Sequence, residues 1–178
     1  MRRDKLKIIL EQLNEMIEMQ KELDKYIMDK QGISYSDVIK DKIKIALFVE
    51  LGELMNEFPT HFKYWKPNAK DNRDKGLVEF VDCMHFTMSL FYHGGYETKD
   101  TAGVVKIVDC FCNLPHVPKT QLKDIFDEYD HYNVLLIELL KLGHGLGFTW
   151  EEIYNAYIEK NKVNYDRQVN VEEYVNHG

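Results

Sequence analysis

Proline is scarce in this chain, with four in 178 residues. None of the four falls inside the long periodic stretches, so nothing there interrupts a helix. Cysteine is also scarce, and its count of three is odd. That excludes a disulfide framework and suits free thiols in a reducing compartment. Cys110 and Cys112 form a CxC, but no second cysteine pair completes a zinc site. Cys83 reads as core. Basic charge is in deficit: 23 Lys and Arg stand against 30 Asp and Glu, a net −7. A nucleic-acid partner is not expected from that balance. No apolar run reaches the length of a membrane span, and the N-terminus alternates charge with apolar residues instead of forming a signal peptide. The expectation is therefore no membrane partner and a cytoplasmic location. Gly143, Gly145 and Gly147 match neither a dinucleotide nor a P-loop fingerprint. No strand pair with a hairpin turn is visible, and there are no repeats or low-complexity linkers.

What the chain does have is helical periodicity. Hydrophobic residues make up 44% and charged residues 30%, which suits one folded domain over residues 1–178. Segment 4–29 carries Leu6, Ile9, Leu10, Leu13, Met16, Ile17, Met19, Leu23, Tyr26 and Ile27 at helical spacing, and Gly32 ends it. Ser34 with Asp37 resembles a capping box, opening a helix of about 36–57 that Pro59 stops. PTHFKYWKPNAKDN then reads as a loop. Further helices are expected at about 74–93, 99–113, 119–142 and 150–163. Gly143, Gly145 and Gly147 break the fifth, and Thr149 with Glu152 caps the sixth. The fold class is all-α, a helical bundle of about six helices.

Two of these helices carry acids at unusual places. Glu50 and Glu53 sit in ALFVELGELMNE, and Glu79 and Asp82 in GLVEFVDCMHF. Residues three apart share a helix face, so each pair points one way. Neither run holds Arg or Lys. Clustered carboxylates among apolar neighbours need a counter-charge, and a hard divalent cation such as Mg²⁺ supplies one through oxygen ligands. Two helices giving two carboxylates each can build a site for two or more metals acting on phosphates. The alternative is two acidic pairs facing solvent. Glu57, one turn beyond Glu53, is either a further acid of the cluster or a solvated helix end. His85, three residues after Asp82, reads better as a core or supporting group than as a ligand, since Mg²⁺ prefers oxygen. Gly52 inside a helix costs about 1 kcal/mol relative to Ala, which the close approach of a ligand or a neighbouring helix would explain.

Three further groups suit a nucleotide. Lys160, Asn164 and Arg167 share a face if the last helix runs that far, with Asn161 adjacent. Cations and amides bind phosphate oxygens, but basic residues also favour a solvated helix end. In FKYWK, Trp65 can stack on a base and Lys63 can pair with phosphate, or the aromatics simply anchor the loop. Gln20 and Asp24, one turn apart, can bond a base edge or face solvent.

Taken together, EMQKELD (18–24), VELGELMNE (49–57), FKYW (62–65), EFVDCMHFTMSL (79–90) and LGFTWEEIYNAYIEKNKVNYDRQ (146–168) resemble the dimeric all-α dUTPases, a branch of the MazG-like nucleotide pyrophosphatases. The ExxE and ExxD pairs belong to the wider superfamily; FKYW and the closing run are specific to the dUTPase branch. The resemblance implies Mg²⁺-dependent hydrolysis of dUTP, with dUDP as a candidate second substrate, to dUMP and pyrophosphate. It assigns metal binding to Glu50, Glu53, Glu79 and Asp82, with Glu53 and Glu50 as the catalytic acids. It assigns base and sugar contacts to Gln20, Asp24 and Trp65, and phosphate contacts to Lys160, Asn161, Asn164 and Arg167. It also implies a homodimer whose partner subunit contributes to the uracil pocket. Two positions depart from the pattern. Some members have Asn at Asp24, and many continue with Gly-Tyr shortly after Arg167-Gln168, where this chain reads VNVEEYVNHG. Two other readings stay open: a related pyrophosphatase for another nucleotide, and a non-catalytic helical interaction module.

Overall fold

The computed structural model describes residues 2–97, Ile125 and 131–169. Among them are five α-helices and no strand: α1 Arg2–Gln31, α2 Asp37–Glu57, α3 Arg73–His93, α4 Tyr132–Gly145 and α5 Trp150–Val169. A 3-10 turn at Pro59–His61 follows α2. The helix expected at 99–113, Cys110, Cys112 and the tail beyond Val169 lie outside the described residues, as does most of 119–131.

α3 is the centre of the bundle and packs against all four other helices. Its sequence dictates this. Phe80, Val81, Cys83, Met84, Met88, Leu90 and Phe91 are all buried, so apolar residues surround the helix rather than striping one face. Each large side chain so buried contributes about 1.5–3 kcal/mol. α1 lays Ile9, Leu13, Met16, Ile17 and Leu23 into the same core. Gln20 falls on that buried stripe too, at 3% exposure. α2 and α3 form an antiparallel hairpin, and the Asn72 amide donates to the Glu57 carbonyl at 2.8 Å where their ends meet. This pairing sets the two acidic pairs against each other.

The helix boundaries follow local chemistry, with two differences from expectation. The cap of α2 is Ser36, not Ser34: Ser36 is extended (φ −157°, ψ 170°) and its Oγ accepts from the Ile39 amide. With the helix starting at Asp37, Ser34 lies too far upstream to reach an orphan amide. Gly143 and Gly145 do not break α4, which runs through both. Gly143 is needed for space, because a Cβ there would lie 2.4 Å from Phe80 Cζ. The turn falls to Gly147, at φ +87°.

The start of α5 is held from two sides. Thr149 and Glu152 make the expected capping box: the Thr149 amide donates to Glu152 Oε2 at 2.8 Å, and the Glu152 amide to Thr149 Oγ1 at 3.2 Å. Arg73, at the start of α3, donates to both Glu152 oxygens at 2.9 and 2.8 Å and to the Gly147 carbonyl at 2.7 Å. Arg73 first, and the Thr149 amide next, hold the Glu152 carboxyl down at about 2. This fork ties α5 to α3 and so fixes the register of the residues α5 carries into the site.

Candidate functional site

Glu50 and Glu53 from α2 and Glu79 from α3 place one carboxylate oxygen each within 4.8 Å of one another. Asp82 belongs to the same face but has a partner of its own: Lys160 Nζ, from α5, donates to Asp82 Oδ2 at 2.5 Å. The four acids are thus three converging carboxylates and one ion pair beside them. Glu57 is not part of the convergence, but its charge helps to raise Glu79. Among the described residues, a Cβ at Gly52 would have no neighbour within 4 Å.

Crowding of like charges shows in the titration of the cluster. Burial, followed by the negative charges of Asp82, Glu53 and Glu79, pushes Glu50 up to about 7, with Lys160 opposing. Burial and then Asp82 raise Glu79 as well. A carboxyl whose folded pKa exceeds its unfolded one destabilises the fold once both states are ionised, and that penalty fades as pH falls from about 7 toward 4.5. His85 and His93 act in the opposite direction. Burial holds them near 3 and 4, so the fold is increasingly destabilised by them as pH drops below about 6.5. Glu50→Gln is therefore expected to raise the melting temperature of the metal-free protein by roughly 3–8 °C at pH 8. At a pH of about 5.5 the gain should be much smaller. Thermal melts of both proteins at the two pH values check this, and an equal gain at both would remove the charge explanation.

Glu50 and Asp82 open onto a cavity of about 650 Å³, within the range of small-molecule sites, about 300–1,000 Å³. Glu50, Asp82 and Lys160 line one part of it. Because α5 continues to Val169, beyond the expected end near 163, Asn164 and Arg167 share the face of Lys160 and line it too. Gln20, Asp24, His85 and Ser89 form a polar wall, and Ile39, Ile43 and Phe86 are among the apolar residues. Acids, cations and a base-edge pair, dispersed over residues 20–167 of the sequence, therefore meet in one cavity.

The polar wall is built from a buried network. Gln20 Nε2 donates to Asp24 Oδ1 at 2.8 Å, and Tyr92 donates to Asp24 Oδ2 at 2.8 Å. Gln20 Oε1 faces His85 Nδ1 at 2.6 Å and accepts from the Tyr157 hydroxyl at 3.0 Å. The His85 and Tyr157 rings stack at 4.4 Å. Burial raises the Asp24 carboxyl, with Ser89, Tyr92 and Gln20 opposing. Tyr92 and Tyr157 were not legible as site residues. They stand 68 and 137 residues from their partners, and an isolated tyrosine carries no spacing signal.

Five expected residues do not line this cavity, and two of them, Glu53 and Glu79, are tied to it through Glu50. Trp65 and Lys63 line a separate depression of about 470 Å³ on the loop before α3. Trp65 is 57% exposed and its neighbour Tyr64 93%. Asn161 is buried beside Tyr157 rather than facing the cavity. No described helix is long and apolar enough to cross a membrane.

A family model described as dUTPase matches residues 12–172. No individual curated protein matches the chain. The match covers Glu50, Glu53, Glu79 and Asp82, the cavity and its polar wall, and its all-helical fold is the one observed. By sequence family and by fold, the chain belongs to the all-α dUTPases and its reaction is the hydrolysis of dUTP.

Proposed function

We propose that Mg²⁺ is the cofactor, held by Glu50, Glu53 and Glu79 with Asp82 in support, two or more ions to a site. The observation that carries this is the convergence of three carboxylates within 4.8 Å, one of which, Glu50, lines the cavity. The donor set fits: all oxygen, converging from two helices, with Glu50 driven up to about 7 by burial and by charges that a cation would offset. When bound, Mg²⁺ supplies charge neutralisation and Lewis-acid polarisation along the triphosphate.

The chain's own groups do the rest in this reading. Glu53, the exposed member of the cluster, orients the attacking water and takes its proton at a carboxylate oxygen. Asn164 and Arg167 hold phosphate oxygens, Arg167 in a bidentate fashion. Lys160 leaves Asp82 for the phosphate chain, where it neutralises charge on the departing pyrophosphate. Gln20 and Asp24 read the base edge. dUDP has the same base with one phosphate fewer and is a second substrate. The test is a panel of dNTPs, NTPs and dUDP with Mg²⁺, each with a metal-free control, following pyrophosphate and phosphate release. Metal-dependent release from dUTP and dUDP is expected. Equal release without metal would overturn the cofactor assignment.

We further propose a homodimer, with Lys63, Asn161 and Trp65 serving substrate only in the assembled, substrate-bound state. Support comes from the outer face of α2. Val38, Ile45, Phe48 and Val49 are exposed there, and Gly52 continues the stripe with open space above it. Ile45→Glu is expected to convert dimer to monomer in light scattering. An unchanged mass, or a wild-type protein that is monomeric, would move the interface elsewhere or remove it.

A further inference from the structure

Gln20 has two chemically different ends, and the fold decides which one faces the cavity. At the inner end, Tyr157 O–H lies 3.0 Å from Gln20 Oε1 and His85 Nδ1 lies 2.6 Å from it. At the outer end, Gln20 Nε2 lies 2.8 Å from Asp24 Oδ1. Turning the amide over would set its oxygen against the Asp24 carboxylate, which only accepts and already takes the Tyr92 hydroxyl. The Tyr157 hydroxyl also reaches the Met16 carbonyl at 3.1 Å, so Asp24 is the partner that opposes the flip.

This arrangement also fixes the tautomer of His85. The short contact needs a proton on Nδ1, because Oε1 only accepts. Nε2 is then an unprotonated acceptor, and it is buried without a partner among the described residues. The ring is 4% exposed and stacked on Tyr157, so it has little room to turn. Lys160 is the charged group that acts on it.

The consequence is a reading frame for a base. The outer end of Gln20 is a donor, and beside it the Asp24 carboxylate is an acceptor with lone pairs left after Gln20 and Tyr92. A donor next to an acceptor complements a carbonyl next to an N–H, the O4/N3–H edge of uracil. It opposes the amino group and bare N3 of cytosine. We propose that His85 is a positioning residue which, by donating Nδ1–H to Gln20, holds this frame and sets the preference for a keto over an amino pyrimidine. The proposal rests on the reading of Gln20 and Asp24 as the base edge.

The experiment compares kcat and KM for dUTP and dCTP in His85→Leu, His85→Asn, Tyr157→Phe and Gln20→Leu, with melting temperatures for each. His85→Leu should raise KM for dUTP about 10- to 50-fold, change kcat by less than about threefold, and lower the dUTP/dCTP preference at least about tenfold. His85→Asn, which keeps a donor near Nδ1, should restore most of the preference. Tyr157→Phe removes one of the two inner donors and should give a smaller change of the same kind, which serves if His85→Leu does not fold. A preference lost in Gln20→Leu but kept in a folded His85→Leu, or in Tyr157→Phe where that leucine variant does not fold, would overturn the positioning role and leave the base edge intact. A preference kept in both Gln20→Leu and those variants would overturn the base-edge reading itself, and the proposal with it. Equal losses in kcat and KM that Asn does not rescue would make His85 merely structural.

Discussion

Glu53→Gln is expected to lower kcat for dUTP by at least about a thousandfold while moving the melting temperature by only a few degrees. The two halves of this expectation have separate causes. Glu53 is exposed on α2, so the isosteric amide disturbs no packing. It also removes one of the negative charges that raise Glu50 and Glu79, which if anything stabilises the metal-free fold. Activity has no such compensation. Proton transfer by a placed carboxylate contributes about 10²–10⁴, and the charge of one of the three carboxylates that converge at the proposed metal site is lost as well. A Mg²⁺ titration separates these contributions. Recovery of rate at high Mg²⁺ would make Glu53 a ligand alone, whereas a low rate at saturating Mg²⁺ assigns it the proton. Glu57→Gln, one turn away and outside the convergence, should lose less than about tenfold. A near-normal rate in a folded Glu53→Gln would remove Glu53 from the mechanism altogether.

The acids were legible in the sequence because their geometry is local. Spacing of three on a helix fixes a common face before any tertiary contact forms. The ends of α1, α2 and α3 were legible for the same reason: Gly32, Pro59 and the Gly94-Gly95 pair act within a turn of themselves. What was not legible depends on how helices meet. The pairing of Lys160 with Asp82 joins residues 78 apart, and it gives one residue two roles: counter-ion in the free protein and phosphate ligand in the proposed complex. The Gln20, His85 and Tyr157 network spans three helices, and His85 and Tyr157 look like core residues in one dimension. Gln20 is the instructive case. A solvent-facing polar pair with Asp24 was an ordinary expectation, yet Gln20 occupies the apolar stripe of α1 and is satisfied from behind. Trp65 is placed differently. Its chemistry suits a base, and its loop sets it in the separate depression before α3 rather than in the cavity.

The same contrast governs α4, where helix propensity and packing make opposite demands at Gly143. An alanine there is favoured over glycine by about 1 kcal/mol as a helix former. Its Cβ, however, would lie 2.4 and 2.7 Å from ring carbons of Phe80. Phe80 is completely buried and packs on Phe148 with ring centroids 5.4 Å apart, so it cannot yield outward. Overpacking of this kind costs about 1–3 kcal/mol, so Gly143→Ala is expected to destabilise despite the better propensity. Phe80→Ala should cost more, about 3–5 kcal/mol, or roughly 6–20 °C in melting temperature. The two changes should not add. With the ring gone, the methyl that Gly143→Ala introduces enters the space the ring left and becomes favourable. The double variant should then be more stable than the sum of the singles by about 1–3 kcal/mol. Additive melts would mean that Phe80 and Gly143 do not share this contact. The effect also reaches the site, because Phe80 follows Glu79 directly on α3. Loosening the ring loosens the carboxylate beside it, so Phe80→Ala should lose activity below its melting transition and Gly143→Ala in the same background should return part of it.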